Sequence, residues 1–195
     1  MRFRQGRLQR EPDFTGPTLT TFKDVFLRHG LPGLLLACSG ILFLSPTTLH
    51  AAFAAPLADS MSYAVGGLVI ALGLSAYVFF MERSWHWGQL GWVVYLGCLS
   101  FCEETLFRLV LPQLAVASGL SLLIAVLVSN ALFGAVHYFT LRWRWQWCVV
   151  AFLCGLALSR HMGNHFDLLL ITAFHWIGTF INTPRAPGQG REDPF

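Results

Sequence analysis

Charge is scarce in this chain. Only 12% of its 195 residues are Asp, Glu, Lys or Arg, against about a quarter in soluble domains. With 55% hydrophobic residues in long runs, that shortage excludes an ordinary soluble domain and points to a polytopic membrane protein. Cysteine patterning is missing too. Cys38, Cys98, Cys102, Cys148 and Cys154 all fall in apolar runs, and no pair has zinc-knuckle spacing beside histidines. They read as small buried hydrophobes and say nothing of the redox compartment. There is no H-E-x-x-H, no internal repeat and no low-complexity run. No cleavable signal is expected, because residues 1–28 are polar and basic and no A-x-A site closes the first apolar run.

What is present is a set of six candidate spans, at about 31–44, 61–81, 89–118, 120–139, 146–159 and 166–181. Several are shorter than the roughly 20 residues a crossing helix needs, the first and fifth most of all. Pro112 predicts a kink inside the third. Basic residues alternate across this topology. Arg2, Arg4, Arg7, Arg10, Lys23 and Arg28 precede the first span; Arg83 follows the second, Arg142 and Arg144 the fourth, Arg185 and Arg191 the sixth. The opposite loops hold only Arg160. The positive-inside rule then puts both termini in the cytoplasm and requires an even number of spans. Trp85, Trp87, Trp143, Trp145 and Trp147 fall at the expected inner interface. The expected organisation is a basic N-terminal segment (1–28), one all-α transmembrane bundle (29–183) and a disordered cytoplasmic tail (184–195).

Ionisable residues inside spans are functional candidates by default. Of the ten acidic residues, only Glu103 and Glu104 lie deep in a span. Asp167 suits the N-terminus of the sixth. Of the seven histidines, His29, His50, His86, His161 and His165 read as interfacial, leaving His137 and His175 inside. Arg108 is the one intramembrane base. Glu104 and Arg108 share a helical face and predict an ion pair. Glu103 is turned about 100° away and is left to face a cavity. Glu103 and His137 are equidistant from position 120, in the "SGLS" turn, so at about 1.5 Å per residue both lie roughly 25 Å from it on adjacent helices. His175 falls within a turn or two of that level. A plain alternative is polar glue between helices, for which two adjacent carboxylates with one partner are a poor choice.

Three motifs occur in order: E-E-x-x-x-R in "EETLFR", F-x-x-x-H in "FGAVH", and "FLCGLALSRHMGNHFDLLLITAFHWIGTFIN", a glycine-bearing helix, a polar turn and an apolar helix carrying a histidine. This arrangement, over about 91–182, resembles the CAAX-protease and bacteriocin-processing (CPBP, or Abi) family of glutamic-type intramembrane endopeptidases. The resemblance implies that Glu103 is the general base activating water, that His137 helps hold that water, that His175 stabilises the oxyanion, and that Glu104 and Arg108 shape the site. The family's third motif usually has Asn or Asp four residues after the histidine. Here Thr179 stands there, and its hydroxyl can donate a hydrogen bond. Asn182 and Asn130 are further candidate donors.

The expectation is thus an intramembrane endopeptidase needing no cofactor and binding no nucleic acid. Its substrate is a membrane protein or peptide: a lipidated C-terminal tail, a peptide leader or a transmembrane anchor. The short chain, near the family's minimal core, suggests a prokaryotic inner-membrane member. Three alternatives stay open. One is a zinc-dependent protease, since a carboxylate and two histidines can bind zinc. One is a non-catalytic scaffold or immunity protein retaining the fold. A transporter is disfavoured by the single ionisable cluster and the lack of an inverted repeat.

Overall fold

A computed structural model describes residues 8–10, 19, 21–82 and 87–187. Arg2, Arg4, Arg7, Glu11, Asp13, Arg83, Trp85, His86 and the end of the expected tail lie outside the described residues, and with them much of the expected charge alternation. All described elements are helical, apart from one isolated antiparallel bridge between Gln9 and Trp143. The expected all-α class is therefore observed.

Thr21 opens the first helix with a capping box. Its hydroxyl accepts from the Asp24 amide at 3.2 Å, and the Asp24 carboxylate accepts from the Thr21 amide at 3.3 Å. The rod then runs through α1 (Phe22–Val25), a π-helical turn (Phe26–Gly30) and α2 (Leu31–Ile41). It thus passes without a break through the expected boundary between residues 28 and 29. Two short helices, α3 (Pro46–Ala52) and α4 (Ala54–Ala58), lead to α5 (Ser60–Glu82). Next come α6 (Trp87–Glu104), a second π-helical turn (Thr105–Val110) and α7 (Leu111–Ala117). The bundle closes with α8 (Leu122–Thr140), α9 (Trp145–His165) and α10 (Leu168–Asn182).

Both π turns have one physical cause. A proline has no N–H and its ring crowds the carbonyl four residues back. Pro32 and Pro112 stand four residues after Arg28 and Arg108, which lie inside the two π turns. The backbone answers by widening: Leu31 N–H reaches Phe26 O and Leu111 N–H reaches Leu106 O, each five residues back. The kink expected at Pro112 is therefore a wide turn within a continuous rod.

Helix α8 packs along α9, and α6 along α10; α2 lies across α6 and the second π turn. One core gathers Ala37, Leu106, Leu109, Phe133, Leu168 and Ile171 among these helices. The other joins Trp92, Val93 and Leu96 of α6 to Val78 and Phe180. Helix α5 lies at the periphery, with Leu68, Val69, Leu72 and Phe80 all more than half exposed. Of the six expected spans, Ser60–Phe80 and Leu122–Thr140 are long and apolar enough to cross a membrane; Leu168–Asn182 is apolar but shorter. Among the described residues the protein is thus all-helical with two membrane-capable helices, not the six expected spans. The "SGLS" turn is where the depth argument needs it. Gly119 adopts φ 95°, and the Ser121 hydroxyl caps α8 by accepting from the Ile124 amide at 3.4 Å.

Candidate active site

Glu103 and Glu104 end α6, and both are at least 97% buried, being 3% and 0% exposed. Their environments differ as the helical geometry requires. Glu104 Oε2 lies 3.2 Å from Arg108 Nε, one turn on. Its other oxygen accepts a hydrogen bond from His175 Nδ1 at 2.6 Å. Glu103 has no partner on its own helix and faces three histidines. His29 Nε2 is 2.6 Å and His137 Nε2 3.7 Å from Glu103 Oε1, while His175 Nε2 is 3.5 Å from Glu103 Oε2. His175 thus bridges the two carboxylates, one ring nitrogen to each.

The outer nitrogens show how the rings are held. His137 Nδ1 donates to Phe133 O at 2.8 Å. A carbonyl only accepts, so in the neutral ring Nε2 is bare and turned to Glu103. Two acceptors 3.7 Å apart are satisfied by a shared donor, and a water molecule fits that role. On the other side Thr140 donates its hydroxyl hydrogen to Val136 O at 2.7 Å. Its oxygen therefore accepts from His29 Nδ1 at 2.6 Å. The contact between His29 Nε2 and Glu103 then needs one proton between them. Phe133 lies at the centre, its ring 4.5 Å from His137, 5.5 Å from His175 and 4.0 Å under the Arg108 guanidinium. That cation over a π face helps to hold Arg108 away from water.

His29 corrects the sequence reading, which placed it at an interface. It is 4% exposed and in direct contact with Glu103. The capping signal at Thr21–Asp24 marks a helix that begins before residue 31, and a helix running from there carries His29 to the bundle interior. Trp143, also read as interfacial, packs its ring against His137, the centres 4.5 Å apart and the planes tilted by 52°. Its neighbour Arg142 is held at φ 56°, a left-handed backbone that costs a side-chain-bearing residue about 1–2 kcal/mol.

Among the described residues, none of the three candidate donors is hydrogen-bonded to Glu103. Asn130 is fully buried, but Nδ2 donates to Val126 O and Ser159 Oγ, both at 2.8 Å. Both its hydrogens are committed, so it has none for an oxyanion. Its place is beside Arg108 and the α9 backbone at Gly155, where a Cβ would overlap Asn130 Oδ1 and come within 2.7 Å of Arg108 Nη2. Asn182 donates to Gly178 O of its own helix at 3.0 Å. The Thr179 carbonyl accepts from Thr183, and among the described residues its hydroxyl makes no hydrogen bond with the cluster.

One further set bears on a metal. His29, Glu103 and His137 each present a ligand atom, all within 4.8 Å of one another. Both histidines offer Nε2 while Nδ1 is held from behind, which is how metal-binding histidines are usually oriented.

Residues 85–181 match the family model for type II CAAX prenyl endopeptidase Rce1-like proteins. The chain belongs to the CAAX-protease family through this segment. The matched segment contains Glu103, Glu104, Arg108, His137 and His175; His29 lies before it. No curated protein and no solved structure matches the chain. Membership makes it an integral membrane protein of a protease family, with a membrane-associated protein as the class of substrate.

Proposed function

We propose that the protein is an intramembrane endopeptidase in which Glu103 activates a water molecule for attack on a peptide bond. The observation that carries this reading is the convergence of His137 and His175 on the two oxygens of one buried carboxylate, at 3.7 and 3.5 Å. A water between Glu103 Oε1 and His137 Nε2 would lose a proton to Glu103 as it attacks. His175, its Nδ1 hydrogen given to Glu104, would present an Nε2–H to the oxyanion as an imidazolium, its charge balanced by the two carboxylates it bridges. A donor so placed in a site closed to water is worth roughly 3 kcal/mol. Glu104 and Arg108 orient His175, and His29 holds Glu103. With the donors of Asn130 committed elsewhere, His175 carries the oxyanion role, and Thr179 supports it if its hydroxyl turns inward when substrate binds.

The family name points to a prenylated C-terminal tail as the substrate to try first. An internally quenched farnesylated C-a-a-X peptide, in detergent or proteoliposomes, supplies the test. Cleavage by the wild-type protein and its loss in Glu103→Gln, with the fold intact, is expected. Cleavage by Glu103→Gln and Glu103→Ala at the wild-type rate would sink this mechanism and favour a scaffold that retains the fold.

A zinc-dependent version is the second reading, favoured by the preset Nε2 atoms of His29 and His137. Those two residues and Glu103 would hold the ion, which would supply a polarised water. Metal analysis of the purified protein and cleavage after treatment with a strong chelator separate the two. Full activity without metal leaves the glutamate mechanism alone.

A further inference from the structure

The buried guanidinium of Arg108 is incompletely partnered, and the catalytic proposal does not account for it. Phe133 covers one of its faces, and Glu104 Oε2 lies 3.2 Å from Nε. That ion pair is not aligned as a hydrogen bond. Among the described residues, Nε, Nη1 and Nη2 of Arg108 and Oε2 of Glu104 all lack a directed partner. Arg108 is 5% exposed, so bulk water does not reach those groups. Orphaned buried polar groups are rare, because each keeps the full cost of leaving water.

Asn130 has the complementary lack. It is fully buried, and its Nδ2 donates to Val126 O and Ser159 Oγ. A main-chain carbonyl only accepts, so the amide cannot be turned over, and its other end is Oδ1, an acceptor. Oδ1 too has no partner among the described residues. The two orphaned ends border one place. A Cβ on Gly155 would overlap Asn130 Oδ1 and stand 2.7 Å from Arg108 Nη2, and the next neighbour outside α9 is Asn130 Cγ at 3.3 Å. Glycine inside a helix is destabilising relative to alanine. In α9 it leaves this place open between a donor and an acceptor.

That pair selects the occupant. A chloride ion or a carboxylate accepts from Arg108 but meets the lone pairs of Oδ1. An apolar group satisfies neither atom. Water accepts from Nη2 and donates to Oδ1 with one molecule, and internal water is held where a buried site offers at least two polar partners.

We propose that one internal water molecule binds beside Gly155, donating to Asn130 Oδ1 and accepting from Arg108 Nη2, and that Asn130 thereby positions the guanidinium that holds Glu104 against His175. Both amide hydrogens of Asn130 are pinned, so a water bridging it to Arg108 fixes how the guanidinium is turned. The guanidinium sets Glu104, whose Oε1 accepts from His175 Nδ1 at 2.6 Å. Asn130 is thus a positioning residue, acting through Arg108 and Glu104. This last step rests on the protease reading above; the water site does not.

Crystals grown in bromide in place of chloride test the site directly. A density peak about 3 Å from both Arg108 Nη2 and Asn130 Oδ1, without bromide anomalous signal, is expected. A bromide peak there would make it an anion site and overturn the proposal, as would a direct Arg108–Asn130 hydrogen bond with no peak. In detergent micelles the same question is put to protein labelled with nitrogen-15 arginine, the Arg108 signals being assigned by their loss in Arg108→Lys. The Arg108 Nη hydrogens should show cross-relaxation with a long-lived water, and Gly155→Ala should abolish it by filling the place. Should Gly155→Ala not fold, Asn130→Leu serves instead. No cross-peak in the wild type, or one that survives in a folded variant, refutes the water.

The positioning role has its own readout on the quenched peptide. Asn130→Leu should lower kcat about tenfold at constant KM, as loss of one buried hydrogen bond does. Asn130→Ser should recover most of that loss. Its hydroxyl can donate to Val126 O as Thr140 does to Val136 O, while the oxygen still accepts from the water. Equal loss in both variants, or a change confined to KM, overturns the role of Asn130. The density and the cross-peak need no peptidase activity, so they decide the water whatever Glu103→Gln shows.

Discussion

His29 Nε2 lies 2.6 Å from Glu103 Oε1, across 74 residues of chain. The ring is fixed behind by Thr140, which is fixed in turn by Val136 O. A residue before the family-matched segment thus orients the side chain on which the proposed chemistry depends. The prediction is that His29→Gln lowers kcat by about 10–100-fold, the usual cost of losing a partner that orients a reacting group. Thr140→Val should lower it less, since it removes only the second link. Wild-type turnover in His29→Ala, measured on the quenched peptide, would show that Glu103 is held by other means.

Arg108 tests the division of labour between the two glutamates. It is 5% exposed, and its charge is met by Glu104 and the Phe133 face. Arg108→Ala strands Glu104 as a buried charge, which costs about 3–5 kcal/mol. Thermal unfolding in detergent should show that loss, whereas Glu103→Gln should unfold within a few degrees of wild type. Arg108→Lys should also be destabilised, because an ammonium lacks the planar face that lies on Phe133. Equal melting of Arg108→Ala and wild type would mean that Glu104 needs no ion pair.

Much of this site was legible in the sequence, and the reason is geometric. Helical rise is nearly constant, so Glu103 and His137, equidistant from the Gly119 turn, meet at one depth whatever packs around them. The same periodicity gave the pairing of Glu104 with Arg108. Legibility ended where position depends on tertiary context. His29 sits in a π turn before Pro32, and a proline there reads as the start of a helix, not as its interior. Asn130 shares a face with His137, yet its hydrogens go to Val126 O on its own helix and to Ser159 on α9. Periodicity on one helix says nothing of a partner on the next. Trp143 has the composition of a membrane-interface residue, and only the left-handed turn at Arg142 carries it back onto His137.

Gly155 should tolerate no side chain. Its Cα is where α9 meets the buried Asn130 and Arg108, and an added Cβ would overlap Asn130 Oδ1. Gly155→Ala improves helix propensity, which alone would stabilise the protein by about 1 kcal/mol. Overpacking costs about 1–3 kcal/mol and should win, because both neighbours are held by packing on every side. A lowered melting temperature with reduced turnover is expected. A raised one would mean that the helices part to admit the methyl group at little cost.

The tether of α5 gives the last prediction. This helix is largely exposed, yet at one end Tyr63 donates its hydroxyl hydrogen to Asp167 Oδ2. The other oxygen of Asp167 caps α10 by accepting from the Leu170 amide at 3.0 Å. One buried carboxylate therefore serves two helices. Tyr63→Phe leaves Asp167 Oδ2 without its donor, at a cost of about 1–3 kcal/mol. Asp167→Asn keeps a carbonyl for one role and not both. If the two residues act through each other, the double variant should lose less than the sum of the single ones, with a coupling of about 0.5–3 kcal/mol. Hydrogen exchange should locate the effect, rising at the α5 end that bears Tyr63 in Tyr63→Phe while the amides around Glu103 stay protected. Strict additivity in the double variant would show that α5 is held by its apolar contacts with α6 and α10 and not by this bond.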